Sequence, residues 1–354
     1  MLTNIEFENY RVFKNRQRIV LRPITIIFGK NNSGKSALLK LPLLVNSYTL
    51  EEPMMFSKEI NGVAVCKRYS DTVYGKGNKV VRFLFSDEKE NILEINYLVE
   101  KFGAIEMPLL QKPIPQNMDF SSLRIRIDYI GAIRPNEIEL TRDVDADEPA
   151  FSGVDGDNTY QYLLRDYNSA ERLLYNKVSR WYEDNFDGWG IRVQEVGNNL
   201  FTIGMGSGNL PTVFLQDSGT GIRQSLPIVI RACKKCEEPT LIVFEEPETH
   251  LNPGAHANLS QLIAESIADD SNKRYLIETH SQTFILRLRR MLAEKRLRQE
   301  DIALYYVEYN PASESSNVKQ VKVNKDGTIS EWPKGMFEEV LGEVVAINKI
   351  RGLQ

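Results

Sequence analysis

Hydrophobic and polar residues alternate in the first third of the chain. Residues 5–8 change character at every position, and residues 25–28 form a short apolar segment. The alternation returns over residues 80–85 and 92–97. Successive side chains of a β-strand point to opposite faces of a sheet, so this period is typical of strands with one buried face. The pattern therefore predicts a β-rich segment over residues 47–127, with further strands ahead of it.

Between residues 158 and 187 the hydrophobic positions recur at steps of three and four instead. They are Leu163, Leu164, Tyr167, Leu174, Val178, Trp181 and Tyr182. This spacing places apolar side chains on one face of a helix, and it predicts two helices. Short strands are predicted again at residues 191–196 and 200–205. We therefore interpret residues 128–216 as a helical insertion followed by short strands.

The second half of the chain alternates short apolar segments with amphipathic ones. The apolar segments occupy residues 241–244, 275–277 and 304–307, and each is short enough for a buried strand. Alternation of strands and helices predicts a mixed sheet flanked by helices, which is an α/β fold. We assign residues 217–310 to this second lobe and residues 311–354 to a C-terminal tail.

Composition and charge exclude several classes of protein. The chain has 354 residues, of which 42% are hydrophobic and 26% charged, as is ordinary for a soluble globular protein. The net charge of -4 gives no global attraction to nucleic acid or to anionic membranes. Glu6 and Glu8 make the N-terminus unlike a secretory signal, and no apolar stretch approaches the length of a membrane span. We expect a cytoplasmic protein without membrane contact.

The three cysteines, Cys66, Cys233 and Cys236, are too few for a disulfide framework and indicate a reducing compartment. Cys233 and Cys236 have the spacing of half a zinc site, but no second cysteine or histidine pair lies near them in the sequence. We interpret them as two small side chains one turn apart on a helix.

The candidate chemistry begins at residues 29–36, which read Gly-Lys-Asn-Asn-Ser-Gly-Lys-Ser between the apolar segment at 25–28 and helix-forming residues. A strand, a glycine-rich loop of this spacing and a helix form the sequence signature of a P-loop. Its glycines let backbone N–H groups wrap phosphate oxygens, its lysine adds a charge, and its last hydroxyl reaches Mg²⁺. The residues predicted to bind phosphate are Gly29, Asn31, Ser33, Gly34, Lys35 and Ser36, with Ser36 also a metal ligand. We expect an N-terminal lobe of residues 1–46 that binds a nucleoside triphosphate.

Two adjacent acids, Glu245 and Glu246, follow the apolar residues 241–244. We interpret that segment as a buried parallel strand whose carboxyl end opens toward the P-loop. One carboxylate can then hold Mg²⁺ while its neighbour, pointing the other way, orients and deprotonates water. Most acid pairs at strand ends are merely solvated, and the P-loop upstream is what favours the catalytic interpretation. The sequence predicts Glu245 as the metal ligand and Glu246 as the catalytic base.

A histidine follows the next apolar segment. Residues 275–277 lead through Glu278 and Thr279 to His280, so the imidazole is expected at the same edge of the sheet. A lone histidine is more often structural, but this position favours a contact between His280 and the γ-phosphate.

A third element is the turn that contains Ser218, Gly219 and Gly221, ahead of a predicted helix over residues 222–235. Small residues at a helix N-terminus can bind phosphate, although a simple capped helix start is the alternative. Because the P-loop already cradles one triphosphate, a second phosphate surface suggests two chains head to tail, each presenting its turn to the other's nucleotide.

These elements, in this order, resemble ABC-type ATPases of the SMC, RecF and OLD group in the AAA family. They resemble in particular a bacterial family of predicted ATPases with a C-terminal domain of unknown function, often found among antiphage defence genes. The segments that carry the resemblance span nearly the whole chain: residues 9–13, 29–36, 129–134, 217–221, 245–253, 278–281 and 332–339. The resemblance implies an ABC-type ATPase head with a mixed central sheet flanked by helices, a β-rich insertion and a helical insertion.

The resemblance also implies a head domain that dimerises around two ATP molecules with Mg²⁺. In such a dimer Ser218, Gly219 and Gly221 would act as the signature turn in trans. Arg11 would approach the phosphates of the nucleotide bound by its own chain. We expect a homodimer or a higher oligomer.

Two differences between this sequence and other members of the wider group bear on the expected function. Transporter subunits typically have Asp at the position of Glu245 and a Leu-Ser-Gly-Gly-Gln signature, and this chain has neither. Some relatives carry Gln in place of Glu246, so its presence here favours hydrolysis over nucleotide sensing. The glutamine loop of the group is not located, with Gln111 and Gln116 as candidates.

The expected partner is a separate effector protein, a nuclease or a toxin. Many OLD proteins continue into a nuclease domain with clustered carboxylates, and the residues after His280 contain no such cluster. We expect an ATP hydrolase that controls this effector, in antiphage defence. The alternatives are a nucleotide-clamped scaffold or sensor with little turnover, and a DNA repair or chromosome maintenance ATPase.

Two basic segments bear on DNA contact. The first comprises Arg287, Arg289, Arg290, Lys295, Arg296 and Arg298 on a predicted helix. The second comprises Arg11, Lys14, Arg16, Arg18 and Arg22. Such runs are most often solvated faces, while relatives lay duplex DNA across the top of the dimer. DNA contact is therefore an open expectation.

Overall fold

Strands predominate in the first half of the chain. The structure, a computed structural model, describes residues 1–49, 58–102, 105–111, 123, 125–134, 142–143, 148–197, 200–329, 332–333 and 339–350. The elements up to residue 143 are β1 (Leu2–Glu8), β2 (Gln17–Val20), β3 (Ile24–Gly29), α1 (Lys35–Leu39), α2 (Leu41–Thr49), β4 (Glu59–Ile60), β5 (Val63–Ala64), β6 (Val81–Asp87), β7 (Ile92–Phe102), β8 (Ile105–Leu110), β9 (Arg126–Ile130) and β10 (Arg142–Asp143).

Helices and strands alternate in the second half. The elements are α3 (Thr159–Asn168), α4 (Leu173–Asn185), β11 (Gly190–Gly197), β12 (Leu200–Gly206), β13 (Val213–Phe214), α5 (Thr220–Cys233), β14 (Thr240–Glu245), α6 (Pro253–Asp269), β15 (Lys273–Glu278), α7 (Gln282–Ala293), β16 (Ile302–Asn310), β17 (Ser315–Val321) and α8 (Glu339–Ile350). The two helices predicted between residues 158 and 187 are confirmed as α3 and α4. Within the described ranges, every helix is too short or too polar to cross a lipid bilayer.

A mixed sheet of six strands forms the centre of the fold, in the order β17-β16-β3-β15-β14-β9. Its strands run parallel except for β17, which pairs antiparallel with β16 at one edge. Every position of β3 is buried, and parallel strands covered on both faces have continuous apolar sequences. The loops that follow β3, β14 and β15 leave the sheet at the same edge, which confirms the predicted convergence of these segments.

The two faces of the central sheet bury separate hydrophobic clusters. On one face Ile26 and Phe244 pack with residues of α3 to α7. On the other face Ile27 and Val243 pack with residues of α1, α2 and the N-terminal strands. Each fully buried side chain of this kind contributes about 1.5–3 kcal/mol. The sheet is therefore fixed from both sides, and its edge is a rigid platform.

A second, antiparallel sheet covers one of these faces, in the order β2-β1-β6-β7-β8. The predicted β-rich segment supplies β6, β7 and β8, and the N-terminal β1 joins them by pairing with β6. The last strand before residue 131, β9, belongs to the central sheet instead, where it pairs with β14. The β-rich segment and the P-loop lobe thus share one sheet.

The C-terminal segment is built into the central sheet. In β16 Val307 lies opposite Gly29 of β3, and β17 pairs along β16. Trp332 stacks on Phe28, with ring centroids 5.5 Å apart and an interplanar angle of 19°. The predicted boundary between residues 310 and 311 therefore falls in the turn between two paired strands.

The helix that carries the cysteine pair is shorter than predicted. α5 ends at Cys233, and Lys234 has an extended backbone. Cys236 lies beyond the helix, where its sulfur accepts a hydrogen bond from Arg231. The expectation that both cysteines share one helix is wrong.

Candidate active site

β3 leads into a tight loop in which two glycines have no room for a side chain. Gly29 has a φ of 153°, and a Cβ there would lie 2.2 Å from the carbonyl oxygen of Val307. Gly34 has a φ of 102°, and its Cβ would lie 2.5 Å from a methyl group of Val12. Positive φ and close approach both favour glycine. The sequence of the P-loop thus matches its path, which ends with Lys35 as the first residue of α1.

Lys35 and Ser36 both contact Glu278, the last residue of β15. The Ser36 hydroxyl donates a 2.8 Å hydrogen bond to one carboxylate oxygen of Glu278. The Lys35 amine lies 3.5 Å from the other oxygen and donates to the carbonyl of Lys30 at 3.0 Å. The side chains of Lys35 and Glu278 are only 4% and 5% exposed, so the ion pair is buried.

Glu278 is a functional candidate that the sequence analysis did not single out. Burial raises the pKa of its carboxyl group, and the positive charge of Lys35 opposes that effect. The signal in the sequence is an acid at the end of a buried strand, two residues before His280. Its proximity to the P-loop depends on the order of strands in the sheet.

Glu245 lies opposite Glu278 on the adjacent strand β14, and its carboxylate is hydrogen-bonded outside the P-loop. One of its carboxylate oxygens accepts a hydrogen bond from the Tyr129 hydroxyl and the other accepts from the Ala132 amide at 3.4 Å. β15 lies between β14 and β3, so Glu278 and not Glu245 reaches Ser36. The predicted metal ligands Ser36 and Glu245 therefore have different hydrogen-bond partners, Glu278 and Tyr129. Its assignment as a metal ligand stays a prediction.

Glu246 begins the turn after β14 in a left-handed conformation, with a φ of 44°. Its amide donates to the Glu278 carbonyl at 2.9 Å, and the Thr249 hydroxyl donates to its carboxylate at 3.3 Å. The other carboxylate oxygen lies 3.5 Å from Nε2 of His280. The side chains of Glu246 and His280 are 38% and 35% exposed, so water can reach both. The structure thus brings together the predicted base and the predicted histidine.

His280 is held by a buried acid. Glu248 is 5% exposed, and a single oxygen of its carboxyl group accepts from the Thr279 hydroxyl at 2.6 Å and from the His280 amide at 2.9 Å. Burial lowers the pKa of His280, and Lys35 lowers it further, while Glu246 opposes both. The lowered pKa favours the neutral imidazole, which donates a hydrogen bond from one ring nitrogen and accepts one at the other.

A cleft of about 790 Å³ opens above these residues. The predicted residues that line it are Asn31, Gly34, Lys35, Ser36, Arg11, Glu246 and His280, together with Glu278. Gly29 and Ser33 lie below its surface, where Ser33 is 1% exposed. Asp71, Val73, Gly75 and Lys76 also line the cleft. The size and lining of the cleft suit a triphosphate.

The oxygen atoms that the cleft offers as metal ligands fit Mg²⁺. Glu246, Glu278 and His280 each present a ligand atom, and these atoms lie within 4.8 Å of one another. The Ser36 hydroxyl adjoins them through Glu278. Mg²⁺ prefers carboxylate, hydroxyl and water oxygens, so the acids and Ser36 suit it better than the imidazole does. A divalent cation would also offset the mutual repulsion of the carboxylates.

Arg11 lines the cleft in a left-handed conformation, with a φ of 51°. Its guanidinium donates to the Tyr10 hydroxyl at 3.1 Å and to the carbonyl of Val65, and its amide donates to Thr72 at 2.8 Å. These contacts fix the backbone of Arg11 at the rim. Its approach to the phosphates stays a prediction.

The turn at Ser218 is separate from the cleft. The Ser218 hydroxyl donates to the Leu215 carbonyl at 2.7 Å, and Gly219 is the N-cap of α5. None of these residues is among the described residues that line the cleft. The structure therefore does not bring the turn to the P-loop of its own chain. Gly221 packs against the segment after β14, since its Cβ would lie 2.5 Å from the His250 carbonyl oxygen.

A pair of glycine substitutions tests this packing. Gly221→Ala is expected to lower the free energy of unfolding by about 1–3 kcal/mol, because the new methyl group meets a backbone oxygen that cannot move aside. Gly219→Ala is the matched control, since nothing lies within 4 Å of its Cβ and its φ is -59°. Urea denaturation measures both variants. Equal stability of the two would contradict the close contact with His250.

Of the two candidates for the glutamine loop, only Gln111 lies within the described residues. Gln111 follows β8, is exposed, and pairs through its amide with the Asn96 carbonyl at 2.8 Å. It does not line the cleft in the described part of the chain. Gln116 lies outside the described residues.

Most of the predicted basic residues already have acceptors within the chain. These contacts are Arg287 with Gln261, Arg289 with the Gly327 carbonyl, Arg290 with Glu294, Arg296 with Glu265, Arg298 with Asp301, Arg16 and Arg18 with Glu6, and Arg22 with the Glu300 carbonyl. Carboxylates pair with five of these arginines, whereas Arg287, Arg289 and Arg22 bond to neutral oxygens that do not offset their charge. The geometry does not favour DNA contact over the solvated alternative, and such contact stays a prediction.

Comparisons with known proteins agree with this geometry. Residues 1–141 and 158–285 match the family described as AAA ATPase domain, and residues 297–347 match a protein family of unknown function, DUF3696. No curated protein matches the chain.

Two solved structures share the fold along nearly its full length. One is an Smc head bound to the C-winged helix domain of ScpA, with 13% identity, a TM-score of 0.54 and coverage of 92% of this chain and 98% of that chain. The other is an Smc head domain with an extended coiled coil, bound to the C-terminal domain of ScpA derived from Pyrococcus furiosus. It has 13% identity, a TM-score of 0.53 and coverage of 98% and 99%. The predicted mixed sheet flanked by helices is thus confirmed.

Proposed function

This chain belongs to the family of AAA ATPase domains, and we propose that its hydrolysis of ATP opens a dimer that ATP binding has closed, and that the dimer controls a separate effector protein. The observation that carries the proposal is the group of side chains at one edge of the central sheet. Lys35 and Ser36 contact Glu278, and Glu246 lies beside His280. Together they offer a positive charge, oxygen ligands and a water-accessible base.

We assign the triphosphate to the P-loop. The Lys35 amine is paired with one carboxylate, and the larger negative charge of a triphosphate would draw it toward the phosphates. Ser36 and Glu278 would then hold Mg²⁺. Glu245 lies opposite Glu278 on the adjacent strand and remains a further proposed ligand. When bound, the ion offsets negative charge on the phosphate oxygens.

We assign proton abstraction to Glu246. Its carboxylate is accessible to water and is held at the rim by Thr249. The neutral imidazole of His280 lies 3.5 Å away, where it can orient a water molecule or meet the γ-phosphate. Neutrality matters, because an imidazolium would pair with Glu246 and weaken it as a base.

The turn at Ser218 supports the dimer. It exposes Gly219 at the start of α5 and is not part of the cleft in its own chain. A second copy placed head to tail would bring Ser218, Gly219 and Gly221 to the triphosphate. A nucleotide held by both copies stabilises the closed dimer through its differential affinity for that state, and hydrolysis removes this stabilisation.

We propose that the effector is a separate protein. The resemblance to predicted ATPases of antiphage defence supports a nuclease or a toxin as that effector. A cytoplasmic location is part of the same proposal.

Steady-state phosphate release and sedimentation velocity of the wild-type chain test the proposal. With Mg²⁺ and ATP we expect turnover per chain that rises with protein concentration and a dimer that dissociates when ATP is removed. Failure to dimerise at saturating ATP would refute the dimer. A stable dimer without measurable turnover would favour the scaffold, and stimulation by duplex DNA would favour DNA repair.

A further inference from the structure

Arg134 is a buried cation bonded to backbone carbonyls of three different segments. It is 3% exposed. Its guanidinium donates to Gly131 at 3.1 Å, to Gln224 at 2.8 Å, and to Glu245 and Glu246 at 2.8 and 2.9 Å. A buried charge is costly unless it is fully hydrogen-bonded, so this arrangement defines the position of each partner.

Two of these bonds bear directly on the proposed base. The carbonyls of Glu245 and Glu246 flank the left-handed residue Glu246, and both bind the same nitrogen of Arg134. A residue with a side chain is strained in this conformation and keeps it only when its surroundings enforce it. Arg134 does so from inside the protein, and it does not itself line the cleft in the described residues.

A further bond of Arg134 leads to α5, the helix that follows the turn at Ser218. Arg134 donates to the carbonyl of Gln224, and the side-chain amide of Gln224 donates back to the Arg134 carbonyl at 2.8 Å. Gln224 is in the first turns of α5, which starts at Thr220. A second contact joins the same elements, because Gly221 packs on the carbonyl of His250.

We propose that Arg134 is a positioning residue that couples the first turns of α5 to the backbone of Glu246. A contact made by a second copy at the Ser218 turn then reaches the base through Gln224 and Arg134. The inference rests on the proposed function for its consequence in hydrolysis, while the coupling itself is a property of the single chain.

The test compares three variants without nucleotide. Arg134→Lys keeps the charge but cannot bridge three segments, and Gln224→Met removes only the amide of the reciprocal pair. Arg231→Lys is the control, since Arg231 is equally buried at the other end of α5 and pairs with Asp128. The readout is hydrogen exchange of the amides of Glu246, Thr249 and Leu251, which donate to the carbonyls of Glu278, Glu246 and Glu248.

We expect both Arg134→Lys and Gln224→Met to speed exchange of these amides by about tenfold or more, because the turn loses its support and opens locally. Arg231→Lys should leave them unchanged. Unchanged exchange in Arg134→Lys would overturn the positioning role. Faster exchange in Arg134→Lys but not in Gln224→Met would overturn the part of the coupling assigned to the side-chain amide of Gln224.

Hydrolysis provides the second readout. In Arg134→Lys we expect kcat to fall by about tenfold or more with KM nearly constant, since the base is displaced while the P-loop is intact. A rise of KM at constant kcat would contradict the assignment. If the wild-type chain hydrolyses no ATP, the proposed function fails, and the exchange experiment still decides the coupling.

Discussion

Replacement of Glu246 by Gln is expected to lower kcat for ATP hydrolysis by about 10²- to 10⁴-fold, the usual contribution of a positioned general base. The amide keeps the size of the side chain and its contact with Thr249 but cannot take a proton from water. Removing a negative charge beside the phosphates does not weaken nucleotide binding. The ATP-bound state therefore accumulates, and size-exclusion chromatography with ATP should show a persistent dimer.

Glu308→Gln is the matched control for this variant. Glu308 lies on β16 and pairs at the surface with Lys319 at 2.7 Å. Surface pairs contribute about 0–1 kcal/mol, so the control should hydrolyse ATP and dissociate as the wild type does. A Glu246→Gln protein that stays monomeric with ATP would contradict the dimer, and one with wild-type turnover would remove Glu246 from the chemistry.

The sequence was sufficient for features that depend on neighbouring residues. Strands β3, β14 and β15 are buried on both faces, so each appears as a continuous apolar segment without reference to the rest of the fold. The sequence signature of the P-loop is equally local, because Gly29 and Gly34 are required by the backbone conformation of one short loop. These features were enough to predict that the candidate residues meet at one edge of the sheet.

The order of the strands in the sheet could not be predicted from the local sequence. β15 lies between β3 and β14, so the acid that contacts Ser36 comes from β15 as Glu278, while Glu245 turns to Tyr129. Strand order depends on which segments pack across the whole molecule, and the local pattern of each strand is the same in either order. The role of Arg134 was hidden for the same reason, because its acceptors are carbonyls of distant segments.

Replacement of Lys35 by Met is expected to raise the Kd for ATP by about 30- to 150-fold, since a charge-assisted hydrogen bond to a phosphate contributes about 2–3 kcal/mol. Met fills a similar volume without the charge. Equilibrium titration with a fluorescent ATP analogue in the presence of Mg²⁺ measures the change. Lys319→Met is the control, because that side chain is 63% exposed and its amine pairs with Glu308 at the surface.

The same substitution tests the buried ion pair when it is combined with Glu278→Gln. Lys35→Met leaves the Glu278 carboxylate buried without its counter-charge, so the free energy of unfolding should fall by about 3–5 kcal/mol. The double variant buries neither charge and keeps a hydrogen-bond partner for Ser36, so it should regain most of that loss. It still lacks the amine and should bind ATP no better than Lys35→Met does. Stability would thus recover while binding does not, which separates a role in folding from a role at the nucleotide. If the double variant bound ATP like the wild type, Lys35 would have no part in holding the triphosphate.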